Sequence, residues 1–115
     1  KILESSCALK TSKSFLQVSG IKFKFDSAKK IFNRVIESSI TVNGEKLGLN
    51  KKYSVALTKY IFDGGDQYSE FENMSVELEM VFQKQMREIL KQYIQRNKTV
   101  KKHTNNRIFD TNKAF

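Results

Sequence analysis

Tyr60-Ile61-Phe62-Asp63-Gly64-Gly65-Asp66 puts an aromatic ring and a carboxylate on either side of two glycines. Gly64 and Gly65 free the backbone to turn tightly, so Tyr60 and Asp66 can face the same side. A ring and a carboxylate so placed have the chemistry of binding: stacking and hydrogen-bond acceptance. From the residues alone, a plainer reading also fits, with Tyr60 a buried aromatic and Asp66 a carboxylate capping its own turn. Covalent or metal chemistry finds less support. The chain has one histidine, His103, in a basic tail, and one cysteine, Cys7. Neither sits in a metal-ligand spacing, and no nucleophile-and-base pair forms around them. A Walker-type phosphate loop is absent as well. The reading assigns no catalytic residue and no metal ligand. Cys7 is expected as a small buried thiol, which cannot form an intrachain disulfide.

The charge balance points to binding. With 21 Lys and Arg against 12 Asp and Glu, the formal net charge is +9. Polyanions, including nucleic acid, anionic lipid and phosphate ligands, are the partner classes that such a balance suits. Arginine is sparse, however, and the lysines are scattered apart from the group Arg96, Lys98, Lys101, Lys102 and His103. Nucleic-acid readers lean on the bidentate guanidinium fork. Nucleic acid is therefore not the expected partner, and a basic module for nucleic acid or anionic surfaces stands as the alternative. At 115 residues the chain makes one domain. No apolar run approaches the roughly 20 residues that span a bilayer. Its opening, Lys1-Ile2-Leu3-Glu4-Ser5-Ser6, has neither an initiator methionine nor a signal-peptide core, so a piece of a larger or processed protein is expected.

The positioning elements follow from periodicity. Ile2 to Leu9 reads as the end of a helix, and Thr11 to Ser14 as a polar turn. From Phe15 to Asp26 the chain alternates, with Ile21, Phe23 and Phe25 on one face and Lys22 and Lys24 on the other. Gly20 within that run predicts a bulge or a close backbone approach. Arg34 to Leu47 reads as a hairpin, with Ile36, Ile40 and Val42 on one face and Asn43-Gly44 in a type I′ turn. Tyr53 to Leu57 alternates as a further strand leading into the glycine loop. Leu78, Val81, Phe82, Met86, Ile89, Leu90, Tyr93 and Ile94 line one stripe of a helix expected over 76–95, with Ser75 as its N-cap. That stripe is expected to be core, as are Phe15, Tyr68 and Phe71. The order predicts an α+β fold with a mainly antiparallel sheet packed by helices.

Four stretches resemble the C-terminal domain of the 5′-nucleotidase/UDP-sugar hydrolase family, in that family's order. Phe15-Leu16-Gln17-Val18-Ser19-Gly20-Ile21 is similar to its Phe-Leu-Gln-Val-Ser/Gly-Gly-Ile strand, and Thr41-Val42-Asn43-Gly44 to its hairpin turn. The run from Tyr53 to Tyr68 resembles its Tyr-x-Val-Ala strand followed by Gly-Gly-Asp-Gly-aromatic. Asn105-Asn106-Arg107-Ile108 is similar to its closing Glu-Gly-Arg-Ile. The resemblance implies a substrate-recognition domain over 1–109, incomplete at its N-terminal side, with 110–115 as a tail.

It also implies roles. A family Phe that stacks on the base corresponds to Tyr60, and the aspartate that accepts the ribose hydroxyls corresponds to Asp66. Stacking contributes about 1–3 kcal/mol whatever the base, and a carboxylate accepting hydroxyls adds roughly 1.5–3 kcal/mol. The family's second stacking aromatic and its Asn and Arg contacts lie upstream of the part matching Lys1, which leaves half a clamp. Lys59 and Asp63 stand where the family often has Asn, and Gln67 where it has Gly. Hydrolysis of nucleoside 5′-phosphates would fall to a metallophosphatase domain with two divalent metal ions, outside this chain. The family's setting implies an extracellular, cell-surface or periplasmic location.

Overall fold

A computed structural model describes residues 1–71, 85–102 and 106–112. Its centre is Ile21–Phe25 (β1), where the predicted alternation holds: Phe23 and Phe25 are buried, and Lys22 and Lys24 are exposed. Cys7, Phe23, Phe25 and Ile40 form the core, and Leu3, Val18, Ile21, Val35, Leu47 and Ile108 pack around it. Burying a side chain such as Phe25 stabilises the fold by roughly 1.5–3 kcal/mol. Phe15 adds a tilted ring contact to Phe25, with centroids 6.4 Å apart.

The hairpin is Val35–Val42 (β2) and Glu45–Lys46 (β3). Asn43 and Gly44 have φ of 50° and 88°, as a type I′ turn requires. Gly20 has φ 76°, and its carbonyl oxygen accepts a 2.7 Å bond from the Asn43 N–H. It therefore makes the close approach rather than the bulge. The bulge lies in β2: Lys22 pairs with Thr41, but Lys24 pairs with Ile36, so extra β2 residues stand opposite Phe23. Ser39 Oγ fills the interrupted ladder by accepting from the Lys24 N–H at 2.8 Å.

Ile2–Ala8 (α1) lies against this sheet. Glu4 accepts from the backbone N–H groups of Arg34 and Val35 at 2.9 and 2.8 Å, and Arg34 donates to the Cys7 carbonyl at 2.8 Å. These bonds join the helix to the start of β2. Ile108–Asp110 (β4) pairs parallel with β1, giving the order β3-β2-β1-β4. The fold is α+β with a mixed, mainly antiparallel sheet.

Three expectations need correction. The strand predicted from Phe15 begins only at Ile21, because residues 15–20 are irregular. Tyr53 to Leu57 does not join the sheet: residues 54–57 are all exposed, Val55 at 70 %, so the alternation has no covered face to stabilise a strand. The last described helix is Met86–Asn97 (α3), while the expected N-cap Ser75 and the stripe residues Leu78, Val81 and Phe82 lie outside the described residues, as do His103 and Asn105. The described part of the stripe is not core, since Met86, Ile89, Leu90, Tyr93 and Ile94 are all exposed. At the end of β4, Asp110 is fully buried, and the Thr111 N–H donates to the Phe25 carbonyl at 2.8 Å. No described helix is long and apolar enough to cross a membrane.

Candidate functional site

The glycine loop follows one short helix. Thr58, in extended conformation, caps Lys59–Phe62 (α2), its side chain accepting from the Ile61 N–H at 3.4 Å. Lys59 pairs with Asp63 one turn on, a surface ion pair of small energetic weight. Gly64 then takes φ 83° and ends the helix. Gly65–Gln67 makes a tight turn in which Asp66 (φ 54°) and Gln67 (φ 70°) are both left-handed. That conformation costs an L-residue with a side chain roughly 1–2 kcal/mol, less for Asp.

This turn brings Tyr60 and Asp66 together. The Tyr60 hydroxyl donates to Asp66 Oδ1 at 3.1 Å, and Tyr60 is 61 % exposed. Gly65 lies directly beneath the ring. A Cβ there would stand 2.5 Å from the Tyr60 carbonyl oxygen and 2.7 Å from each Cε of the ring. Equal distance from both Cε atoms means that the ring lies face-on over Gly65. One face of the ring is thus occupied by the chain itself, and the other is turned away from it. Tyr60 is exposed and Asp66 half-buried, and a cleft beside Lys1 and Phe32 and another beside Gly20 and Arg107 include neither residue.

Two aromatic residues hold the loop's far end. Tyr68 is completely buried, and its hydroxyl donates to the Ser14 carbonyl at 2.7 Å. Burial is the main reason that its pKa is raised. Phe71 meets the Phe62 ring at 6.5 Å, closing the loop between α2 and the following turn. Sequence reasoning places Tyr68 and Phe71 in packing roles, and both occupy them. It misses the cap at Thr58, although Thr three residues before Ile61 is a recognisable N-cap pattern. The left-handed backbone at Gln67 is signalled only by the family's glycine at that position, since glutamine itself has no such preference.

Cys7 is buried, and its thiol is pushed up to about 12, first by burial and then by nearby Glu4. A thiol so shifted stays protonated and unreactive at neutral pH. Among the described residues, no three His, Cys, Asp or Glu side chains gather so that they could hold a metal ion.

Residues 1–73 match the family described as 5′-nucleotidase, C-terminal domain. The chain belongs to that family. Within the matched part of this 5′-nucleotidase C-terminal domain lie β1, the hairpin, α2 and the Tyr60–Asp66 pair, whereas α3 and β4 follow it. The likeness at Asn105 to Ile108 therefore falls beyond the match. The domain is also similar to a cell wall protein, Lmo0130, of Listeria monocytogenes serovar 1/2a (strain ATCC BAA-679 / EGD-e). The two are 32% identical over 63 residues, which is 54% of this chain and 8% of that protein. The chain thus spans a small part of that relative's length. No solved structure matches.

Proposed function

We propose that this 5′-nucleotidase C-terminal domain recognises the nucleoside part of a nucleotide, with Tyr60 stacking on the base and Asp66 accepting hydrogen bonds from the ribose hydroxyls. It does so for a hydrolase that removes phosphate from nucleoside 5′-phosphates. The observation that carries this reading is the Tyr60–Asp66 pair: an exposed ring with one face turned outward and a half-buried carboxylate 3.1 Å from its hydroxyl, inside the family match. Family membership supports the hydrolase setting. Hydrolysis belongs to a metallophosphatase domain of the same protein, upstream of this one, where two divalent metal ions would activate the attacking water. The name of the cell wall relative supports a location outside the cytoplasm.

Asp66→Ala in the intact protein tests the reading. KM for a ribonucleoside 5′-phosphate rises about tenfold or more if the carboxylate holds the ribose. A KM unchanged within about twofold excludes that role, because loss of one charge-assisted hydrogen bond exceeds this.

A second reading has its own support in α3. Its exposed apolar stripe lies beside Arg87, Lys91, Arg96 and Lys98, which are exposed as well. A basic amphipathic helix of this kind suits anionic surfaces. Binding to a polyanion would weaken steeply with added salt, whereas nucleoside binding would not.

A further inference from the structure

We propose that the Tyr60 hydroxyl is a specificity-determining group: it holds the Asp66 carboxylate so that the free oxygen, Oδ2, meets a sugar hydroxyl. The inference rests on the nucleoside-recognition reading above and assigns the preference for ribose to a hydroxyl rather than to the ring that bears it. Three observations carry it. Among the described residues, the Tyr60 hydroxyl is the donor that the Asp66 side chain has, through Oδ1 at 3.1 Å. An ionised carboxylate has about four acceptor sites, so one donor orients it and leaves Oδ2 open. The ring is itself fixed: it lies face-on over Gly65, where no side chain can fit.

The backbone makes such an orienting contact necessary. Asp66 sits at φ 54°, ψ 30° in the tight turn, so its main chain is set while its half-buried side chain keeps two rotatable bonds. Without a partner, that carboxylate would sample several rotamers and meet the sugar only part of the time. At 3.1 Å the contact is longer than the 2.5–2.7 Å typical of hydroxyl–carboxylate pairs, so it steers the group without locking it. The expected effect is accordingly a few-fold one.

Tyr60→Phe separates the hydroxyl from the ring, since the phenyl group keeps the stacking face. The hydroxyl lies at the surface, so its removal is compatible with folding, and far-UV circular dichroism verifies that. Affinities of the intact protein for adenosine and for 2′,3′-dideoxyadenosine are measured by equilibrium dialysis, which needs no turnover. In Tyr60→Phe the adenosine-to-dideoxyadenosine affinity ratio falls about three- to tenfold, and in Asp66→Ala it collapses towards one. If Tyr60→Phe keeps the wild-type ratio, or raises it, while Asp66→Ala loses it, the hydroxyl does not position Asp66. The proposal then fails with the site reading intact. If neither Asp66→Ala nor Tyr60→Ala alters either affinity, the site reading fails and takes the proposal with it.

Discussion

The buried hydroxyl of Tyr68 donates a 2.7 Å hydrogen bond to the carbonyl oxygen of Ser14, fastening the loop that bears Asp66 to the segment that leads into the central strand. Tyr68 stands two residues beyond Asp66, so the loop geometry depends on this anchor. Tyr68→Phe keeps the ring and leaves the Ser14 carbonyl without its donor. We expect a loss of about 1–2 kcal/mol in stability, read as a lower urea midpoint at unchanged slope. An unchanged midpoint would show that the anchor contributes nothing.

Gly65→Ala should weaken ligand binding by displacing the loop that carries Tyr60 and Asp66. The new methyl group would stand 2.5 Å from the Tyr60 carbonyl oxygen and 2.7 Å from its ring carbons, so both the ring and the loop backbone must shift and Asp66 loses its partner. Nucleoside affinity is expected to fall about tenfold. Gly44→Ala, in the hairpin turn with nothing within 4 Å of the new methyl group, is the control for a glycine replaced away from the site. Equal affinities in the two variants would contradict the packing argument.

Gln67→Gly is expected to stabilise the domain. Gln67 holds φ 70°, a region that costs a residue with a Cβ roughly 1–2 kcal/mol, offset in part by the greater freedom of glycine in the unfolded chain. The net gain should be about 0.5–1 kcal/mol, visible as a rise of a few degrees in Tm. A lower Tm would mean that the glutamine side chain contributes more than its backbone costs.

Acid should weaken the fold through Asp110. Burial alone would raise the pKa of this carboxyl, but the Lys10 ammonium and bonds from Ser27 and Asn112 outweigh burial and hold it well below the usual range. The unfolded chain therefore binds the proton first, near pH 4, and stability rises with pH through that region. Above about pH 4 the contribution is complete, and it is lost progressively as pH falls towards the depressed folded value. Asp110→Asn should flatten the acid limb of a stability–pH profile. At pH 7 it should cost about 2–4 kcal/mol, less than a fully buried pair, because Lys10 keeps some solvent contact. An acid limb as steep as the wild type's would rule Asp110 out as its source.

Local chemistry was readable wherever a residue's own conformation or alternation decided the outcome. Phe23 and Phe25 alternate with Lys22 and Lys24, and only one register buries the rings; Asn43-Gly44 carries the left-handed pair that its turn needs. Relationships between distant segments were not readable. Tyr53 to Leu57 has a strand's pattern, but alternation describes a face and says nothing of a free edge to pair with. The stripe of α3 has a core helix's pattern, yet it stays exposed because no described element covers it. The bulge in β2 depends on Ser39 bonding across the ladder, which spacing does not encode. At the site, the glycines pointed to the turn, but the hydroxyl-to-carboxylate contact emerged only from its left-handed backbone.

The outer edge of β1 is covered by a strand that arrives more than 80 residues later, with Phe25 opposite Asp110. As the chain leaves the ribosome, the hairpin can assemble early, while that edge must wait for β4. For that interval the apolar Phe23 and Phe25 strand offers bare amide and carbonyl groups to any neighbouring nascent chain, the condition under which sheets aggregate. Loss of Ile108–Asp110 should therefore be felt first as poor yield from synthesis, before any defect in binding.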